Sequence, residues 1–213
     1  MARISFSKDP SGKILSFSFQ VNRDLLNFRN LANLNPAYKY VINMLIFLIG
    51  FMGSGKSYVG KRLAPKLNFD YLDLDEYIVQ KAGKSISVIF EEDGENAFRQ
   101  IESDSLKSLA ERENLIVATG GGTPCFFDHM HWMNTQGKTV FLDVATPLLV
   151  KRLQAEVVHR PLLAKLSNTE LAAYIEQKIA ERRHFYEQAQ LTLKQENEAA
   201  DRVISLLEMI GSC

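Results

Sequence analysis

Residues Gly50 to Ser57 read "GFMGSGKS", the spacing G-x-x-x-x-G-K-S. Glycines at these positions let the main chain turn where a side chain would forbid it, and let it approach a ligand closely. Successive amide N–H groups on such a turn point inward and cradle a polyphosphate, with the positive end of the following helix beneath it. Lys56 then reaches the terminal phosphates, and the Ser57 hydroxyl is placed for Mg²⁺. The chemistry expected is nucleotide binding. A glycine-rich turn that merely joins two elements is the plainer reading. It is outweighed by the apolar strand candidate before the motif and the helix candidate after it. The motif alone does not separate kinases from ATPases, GTPases or binding modules.

Two further sets of residues bear on that choice. Asp73 and Asp75, in "DLD", close a strand candidate. Residues two apart on a strand face the same side, here toward the strand ends where open α/β sheets bind ligands. Phosphoryl transfer to an alcohol needs neutralised phosphates and an acceptor for the hydroxyl proton, and two carboxylates can serve both. The same acids can also start a helix at "EYIVQKAG". Arginine forks match carboxylate and phosphate oxygens, and the candidates are Arg99, Arg160, Arg182 and Arg183. Glu95 lies one turn before Arg99, which also reads as a surface ion pair. Gly120, Gly121 and Gly122 end an apolar strand and leave the backbone bare, for a ligand or as a flexible turn.

These groups need a frame. Strand candidates "MLIFLI", "FDYLDLD", "LIVATGGG" and "TVFLDV" alternate with helix candidates. The helices cover Lys56 to Leu67, "ENAFRQIESDSLKSLAERE" with a buried stripe of Phe98, Ile101, Leu106 and Leu109, Thr169 to Gln190, and "ADRVISLLEMI". Such alternation predicts a parallel sheet with helices on both faces. At 213 residues the chain supports one substantial core. Twenty-five basic residues balance twenty-five acidic ones, so no global field draws nucleic acid or an anionic membrane. Met44 to Met52, the longest apolar run, is far short of the roughly 20 residues a span needs. Cys125 and Cys213 lack metal-ligand spacing and fit a reducing compartment, so a cytoplasmic location is expected. Residues 1–43 are basic and acid-poor with no sustained apolar period. They read as a poorly ordered N-terminal extension, with a transit peptide or a misplaced start as alternatives, ahead of a domain over residues 44–213.

Six stretches in order, "GFMGSGKS", "DLD", "FEEDGENAFRQIE", "ATGGGTP", "RPLL" and "RRHFY", resemble the shikimate kinase family and span nearly all of residues 44–213. The resemblance implies a three-layer α/β P-loop kinase fold with a five-stranded parallel sheet, a substrate-binding segment and a mobile lid. It implies Mg²⁺-dependent transfer of the ATP γ-phosphate to the 3-hydroxyl of shikimate, giving shikimate 3-phosphate and ADP in chorismate and aromatic amino acid biosynthesis. ATP and shikimate are then the partners of a monomer, without nucleic acid or membrane.

Carried over residue by residue, it implies that Gly53, Ser54, Gly55, Lys56, Ser57 and Tyr58 hold ATP and that Arg160 reaches the phosphates from the lid. Ser57 and Asp73 resemble the magnesium ligands. Asp75 resembles the base that also binds the shikimate hydroxyls, beside the catalytic Lys56. Arg99, Gly121 and Arg182 resemble the shikimate-binding positions, with Arg183 able to replace Arg182 in another helix register. Tyr58 stands where many members carry threonine, the lid "QAEVVHRPLLAK" has no glycine, and no adenine-side arginine is placed in "LKQENEAADRV". A gluconate-type sugar-acid kinase and a non-catalytic binding module remain as alternatives. Retention of Lys56, Ser57, Asp73, Asp75 and Arg160 argues against the module.

Overall fold

The computed structural model describes residues 3–8, 14–20, 44–155, 167–196, 205–206 and 210. The chain divides into two units, residues 1–39 and 40–213. In the first, β1 (Arg3–Lys8) and β2 (Ile14–Gln20) pair antiparallel. Sequence reading assigned no element there. The overlooked signal is a two-residue alternation in "RISFSK" and "ILSFSFQ", which a search for longer apolar periods passes over.

The second unit is built on β3 (Leu45–Ile49), an unbroken apolar run buried along its length. A strand covered on both faces requires such a run. Beside it lie β4 (Asp70–Asp73), β5 (Leu115–Ala118), β6 (Gly137–Val144) and β7 (Leu191–Gln195), in the order β4-β5-β3-β6-β7 with every pair parallel. The connections carry α1 (Lys56–Leu67), α2 (Leu74–Ala82), α3 (Ile86–Glu92), α4 (Gly94–Lys107), α5 (His129–Gln136), α6 (Thr146–Ala155) and α7 (Asn168–Tyr186).

Alternate residues of β3 serve opposite layers. Leu45, Phe47 and Ile49 pack with Leu74, Ile78, Ile89, Phe98 and Leu106, whereas Ile46 and Leu48 pack with Val59, Leu63 and Ala64 of α1. A third cluster joins Phe51 to Leu149 and Leu153 of α6 and to Leu171 and Ile175 of α7. The chain leaves β3 toward one edge and later crosses to the other, so β3 marks the switch point where open sheets bind ligands beyond their strand ends. The C-terminal ends of β3, β4 and β5 thus deliver the Gly50–Ser57 loop, Asp73 and the three glycines to one rim.

Several expectations are corrected. The strand expected over "FDYLDLD" ends at Asp73, and Asp75 lies in the first turn of α2. The helix expected from Thr169 to Gln190 ends at Tyr186 and gives way to β7, whose alternating exposure is that of an edge strand. The stripe on α4 holds Phe98 and Leu106 as expected, but Ile101 is half-buried and Leu109 is buried beyond the helix end. The same face buries Glu102, Ser103 and Ser105, which a count of apolar residues misses. Arg160, the rest of "EVVHRPLLAK" and most of "ADRVISLLEMI" lie outside the described residues. Among the described residues no helix is long and apolar enough to cross a membrane.

Candidate active site

The loop after β3 turns at Gly53 and Gly55, with φ of +76° and +83°, in the left-handed region that glycine enters without strain. Gly55 is the N-cap of α1, so the helix begins at Lys56 and presents its N-terminus to the loop. Lys56 is largely buried. Its Nζ donates to the carbonyls of Gly50 (2.8 Å) and Phe51 (3.0 Å), which holds the ammonium over the loop. Ser54 is buried and donates its amide to Phe51 O, whereas Tyr58 is exposed under the Arg62 guanidinium. On α6, Arg152 donates to Gly53 O and to Gln195 Oε1 of β7, a tie to the loop that sequence reading did not find.

Ser57 Oγ donates to Asp73 Oδ2 at 2.7 Å, and the Tyr71 hydroxyl donates to the same oxygen at 3.2 Å. The other oxygen of Asp73 accepts the Asp75 amide at 3.1 Å, so Asp73 caps α2. Asp73 starts a helix, as one reading of the sequence expected, and it also meets Ser57 of the phosphate loop. A hydroxyl and a carboxylate meeting beside the loop suit Mg²⁺. That ion takes one or two protein oxygens and completes its shell with waters and phosphates. Among the described residues no group of three or more His, Cys, Asp or Glu forms a protein cage for a metal.

Asp75 is pushed up to about 6, first by burial, then by the neighbouring charges of Asp73 and Glu102; Lys56 and Arg99 oppose the rise. Its neighbours include Gly120, where an added Cβ would lie 3.0 Å from Asp75 Oδ1 and 3.2 Å from Glu102 Oε1. On Gly121 a Cβ would lie 3.4 Å from the Met52 amide of the phosphate loop and 3.7 Å from Arg182 Nη1. On Gly122 it would lie 2.9 Å from Arg99 Nη2. Three consecutive glycines thus face Asp75, Arg182 and Arg99 in turn. None of the three has a positive φ, so the triplet is packed against partners rather than being a flexible turn.

Arg99 donates to Glu95 (3.1 Å), as its spacing predicted, and also to Glu102 (2.8 Å). Glu102 is 1% exposed and accepts a second bond from Thr123 Oγ1 at 2.6 Å. Its burial was readable: it falls four residues from both Phe98 and Leu106, on the core stripe of α4. Arg182 sits beside Phe51, and the hydroxyl of fully buried Tyr186 donates to Gly121 O at 2.6 Å. Arg183 points elsewhere, to Asp143 and Glu187. Cys125 lies near both Arg99 and Arg182, and burial pushes its thiol up to about 11.

The assembly is a phosphate cradle, a carboxylate–hydroxyl pair, a poised acid and two guanidinium groups around a bare backbone. Comparison with known proteins identifies the family. The sequence model of the family described as "Shikimate kinase" matches residues 52–210. A shikimate kinase of Parabacteroides distasonis is 45% identical over 151 residues, which cover 71% of this chain and 87% of that one. The crystal structure of shikimate kinase from Bacteroides thetaiotaomicron superposes with a TM-score of 0.73 at 39% identity, covering 79% of this chain and 97% of that one. Shikimate kinase from Acinetobacter baumannii in complex with shikimate also gives a TM-score of 0.73, at 32% identity over 83% and 98% of the two chains. The chain belongs to the shikimate kinase family.

Proposed function

We propose that the protein transfers the γ-phosphoryl group of ATP to the 3-hydroxyl of shikimate, with residues in the following roles. The amides from Gly53 to Ser57 and the N-terminus of α1 hold the phosphates, flanked by Tyr58. Lys56 Nζ exchanges its loop carbonyls for phosphate oxygens and balances charge that spreads over them in the transition state. Ser57 and Asp73 would hold Mg²⁺, which when bound would neutralise phosphate charge.

Arg99 and Arg182 grip the shikimate carboxylate against the Gly121 backbone, and this fixes the acceptor hydroxyl beside Asp75. The hydroxyl oxygen forms its bond to γ-phosphorus as the β–γ bridging P–O bond breaks. ADP keeps that bonding pair, and Asp75 takes the hydroxyl proton. An acid titrating near 6 is ionised at neutral pH, yet basic enough to accept it. Arg160 approaches the phosphates from the lid in this reading. One chain carries every group named, so a monomer suffices. The two cysteines without framework spacing support a cytoplasmic location.

The observation that carries the reading is the convergence of Asp75, Arg182 and Arg99 on Gly120, Gly121 and Gly122. Coupled ADP release measured with shikimate, with gluconate and with neither acid tests it. Release stimulated by shikimate alone is expected. Stimulation by gluconate instead would reassign the acceptor, and tight binding of ATP and shikimate without turnover would make the chain a binding module.

A further inference from the structure

His129, at the start of α5, is 1% exposed and touches neither phosphate loop nor arginine in the account so far. Its Nδ1 lies 2.8 Å from Thr123 O, and its Nε2 lies 3.0 Å from Ser103 Oγ. A carbonyl only accepts, so Nδ1 carries a proton, and burial favours the neutral ring, whose Nε2 then accepts from the serine hydroxyl. The neutral ring therefore bridges α4, which carries Ser103, to the segment that follows the three glycines.

That segment surrounds Arg99. Gly122 lies against its guanidinium, and the Phe126 ring centroid is 3.9 Å from its central carbon. Between them, Thr123 Oγ1 donates to Glu102, which holds Arg99 Nη1. Apart from one short 3-10 turn, Thr123–Cys125, residues 119–128 have no regular structure. The position of the segment therefore depends on side-chain ties, and the His129 tie meets it at its centre.

We propose that His129 is a positioning residue for the acceptor site: by tying Thr123 to Ser103 it holds Gly122 and Phe126 where they clamp Arg99. This rests on the acceptor reading given above. Two variants separate positioning from simple loss of packing. H129L keeps bulk but neither hydrogen bond. H129N places an amide N–H near the position of Nδ1 and restores the bond to Thr123.

With each substrate varied in turn, H129L should raise the shikimate KM roughly tenfold, the cost of about one buried hydrogen bond, while leaving the ATP KM unchanged. H129N, which keeps only the Thr123 end of the tie, should recover part of the loss. Independently of any substrate, the ¹⁵N NMR signal of the Arg99 Nε–H should shift or broaden in H129L and return part of the way in H129N. Equal rises in both KM values, an H129N as impaired as H129L, or an unmoved Arg99 signal in H129L would overturn the proposal.

If the unmodified chain released no ADP with shikimate, the acceptor reading would fail while the Arg99 signal still judged the tie. If H129L did not fold, S103A would carry the test, since it removes one end of the tie only. A smaller rise confined to shikimate KM, matching that of H129N, is expected, and an unchanged KM with an unmoved Arg99 signal would overturn it.

Discussion

Gly122 leaves its Cβ position to Arg99: a methyl group there would lie 2.9 Å from Nη2 and 3.0 Å from Nη1 of the guanidinium. The backbone at Gly122, with φ −93° and ψ −20°, is open to any residue, so glycine is needed there for space and not for conformation. Gly122→Ala should therefore fold normally and displace the fork. A rise of about tenfold or more in shikimate KM is expected, with ATP KM unmoved, as for a lost charged hydrogen bond. Steady-state kinetics with each substrate varied checks this, and an unaltered shikimate KM would mean that Arg99 is not fixed by its contact.

Asp75 sets a pH limit. Its carboxyl is pushed up to about 6, chiefly by burial, and a base must be ionised to accept a proton. kcat/KM for shikimate should be flat at neutral pH and fall about tenfold for each pH unit below about 6. Asp75→Asn should abolish turnover while ATP binding, followed by calorimetry, persists.

The same shift predicts an effect on stability. The folded carboxyl titrates near 6 and the unfolded one near 3.8, so between these values the native state holds the extra proton. Stability from this group is full below about 3.8 and is lost as pH rises through about 6. At pH 8 the buried charge costs the fold up to about 3 kcal/mol, so Asp75→Asn should raise Tm there and lose the advantage near pH 3.5. Calorimetric melting at the two pH values tests this, and a lower Tm for the variant at pH 8 would count against it.

Asp73 caps α2 and is the proposed Mg²⁺ ligand, two tasks that substitution can separate. Asparagine caps a helix about as well as aspartate, so Asp73→Asn should keep α2 and the fold. It removes the charge that faces Ser57 Oγ, and Mn²⁺ binding in the presence of ADP, read by electron paramagnetic resonance, should weaken at least tenfold. Unchanged Mn²⁺ affinity would detach Asp73 from the metal.

Arg182 and Arg183 are adjacent in sequence and face different partners. Arg183 is partly exposed and paired to Asp143 and Glu187, so Arg183→Ala should change stability by about 1 kcal/mol or less and leave shikimate KM alone. Arg182→Ala should raise shikimate KM strongly. The reverse pattern would exchange their assignments.

The phosphate loop was legible because its glycines, lysine and serine are contiguous, and its chemistry depends on main-chain geometry that the spacing itself dictates. The helix Lys56–Leu67 followed from it without correction. The remainder of the site was harder to read because it is assembled by folding. Asp73 ends β4 and Asp75 lies in the first turn of α2, so their common neighbourhood comes from a helix cap and not from the strand alternation that suggested it.

β7 escaped a reading of apolar patterns because "LTLKQ" is short and half exposed, and it follows directly on a long helix. The fifth strand was expected only from family resemblance. Glu102, Thr123 and His129 are polar residues in core positions, and patterning by hydrophobicity treats them as noise. A carboxylate on the buried stripe of α4 was the one signal in the sequence that could have exposed this network.

Two guanidinium groups are proposed to hold the carboxylate of the acceptor while Asp75 faces its hydroxyl. ADP release compared between shikimate and shikimate methyl ester tests it most directly. The unmodified protein should use the ester at least about a hundredfold less efficiently in kcat/KM, because two charge-assisted bonds are weakened together. The Arg99→Ala, Arg182→Ala double variant should treat acid and ester alike. An ester phosphorylated as efficiently as the acid by the unmodified protein would contradict the account.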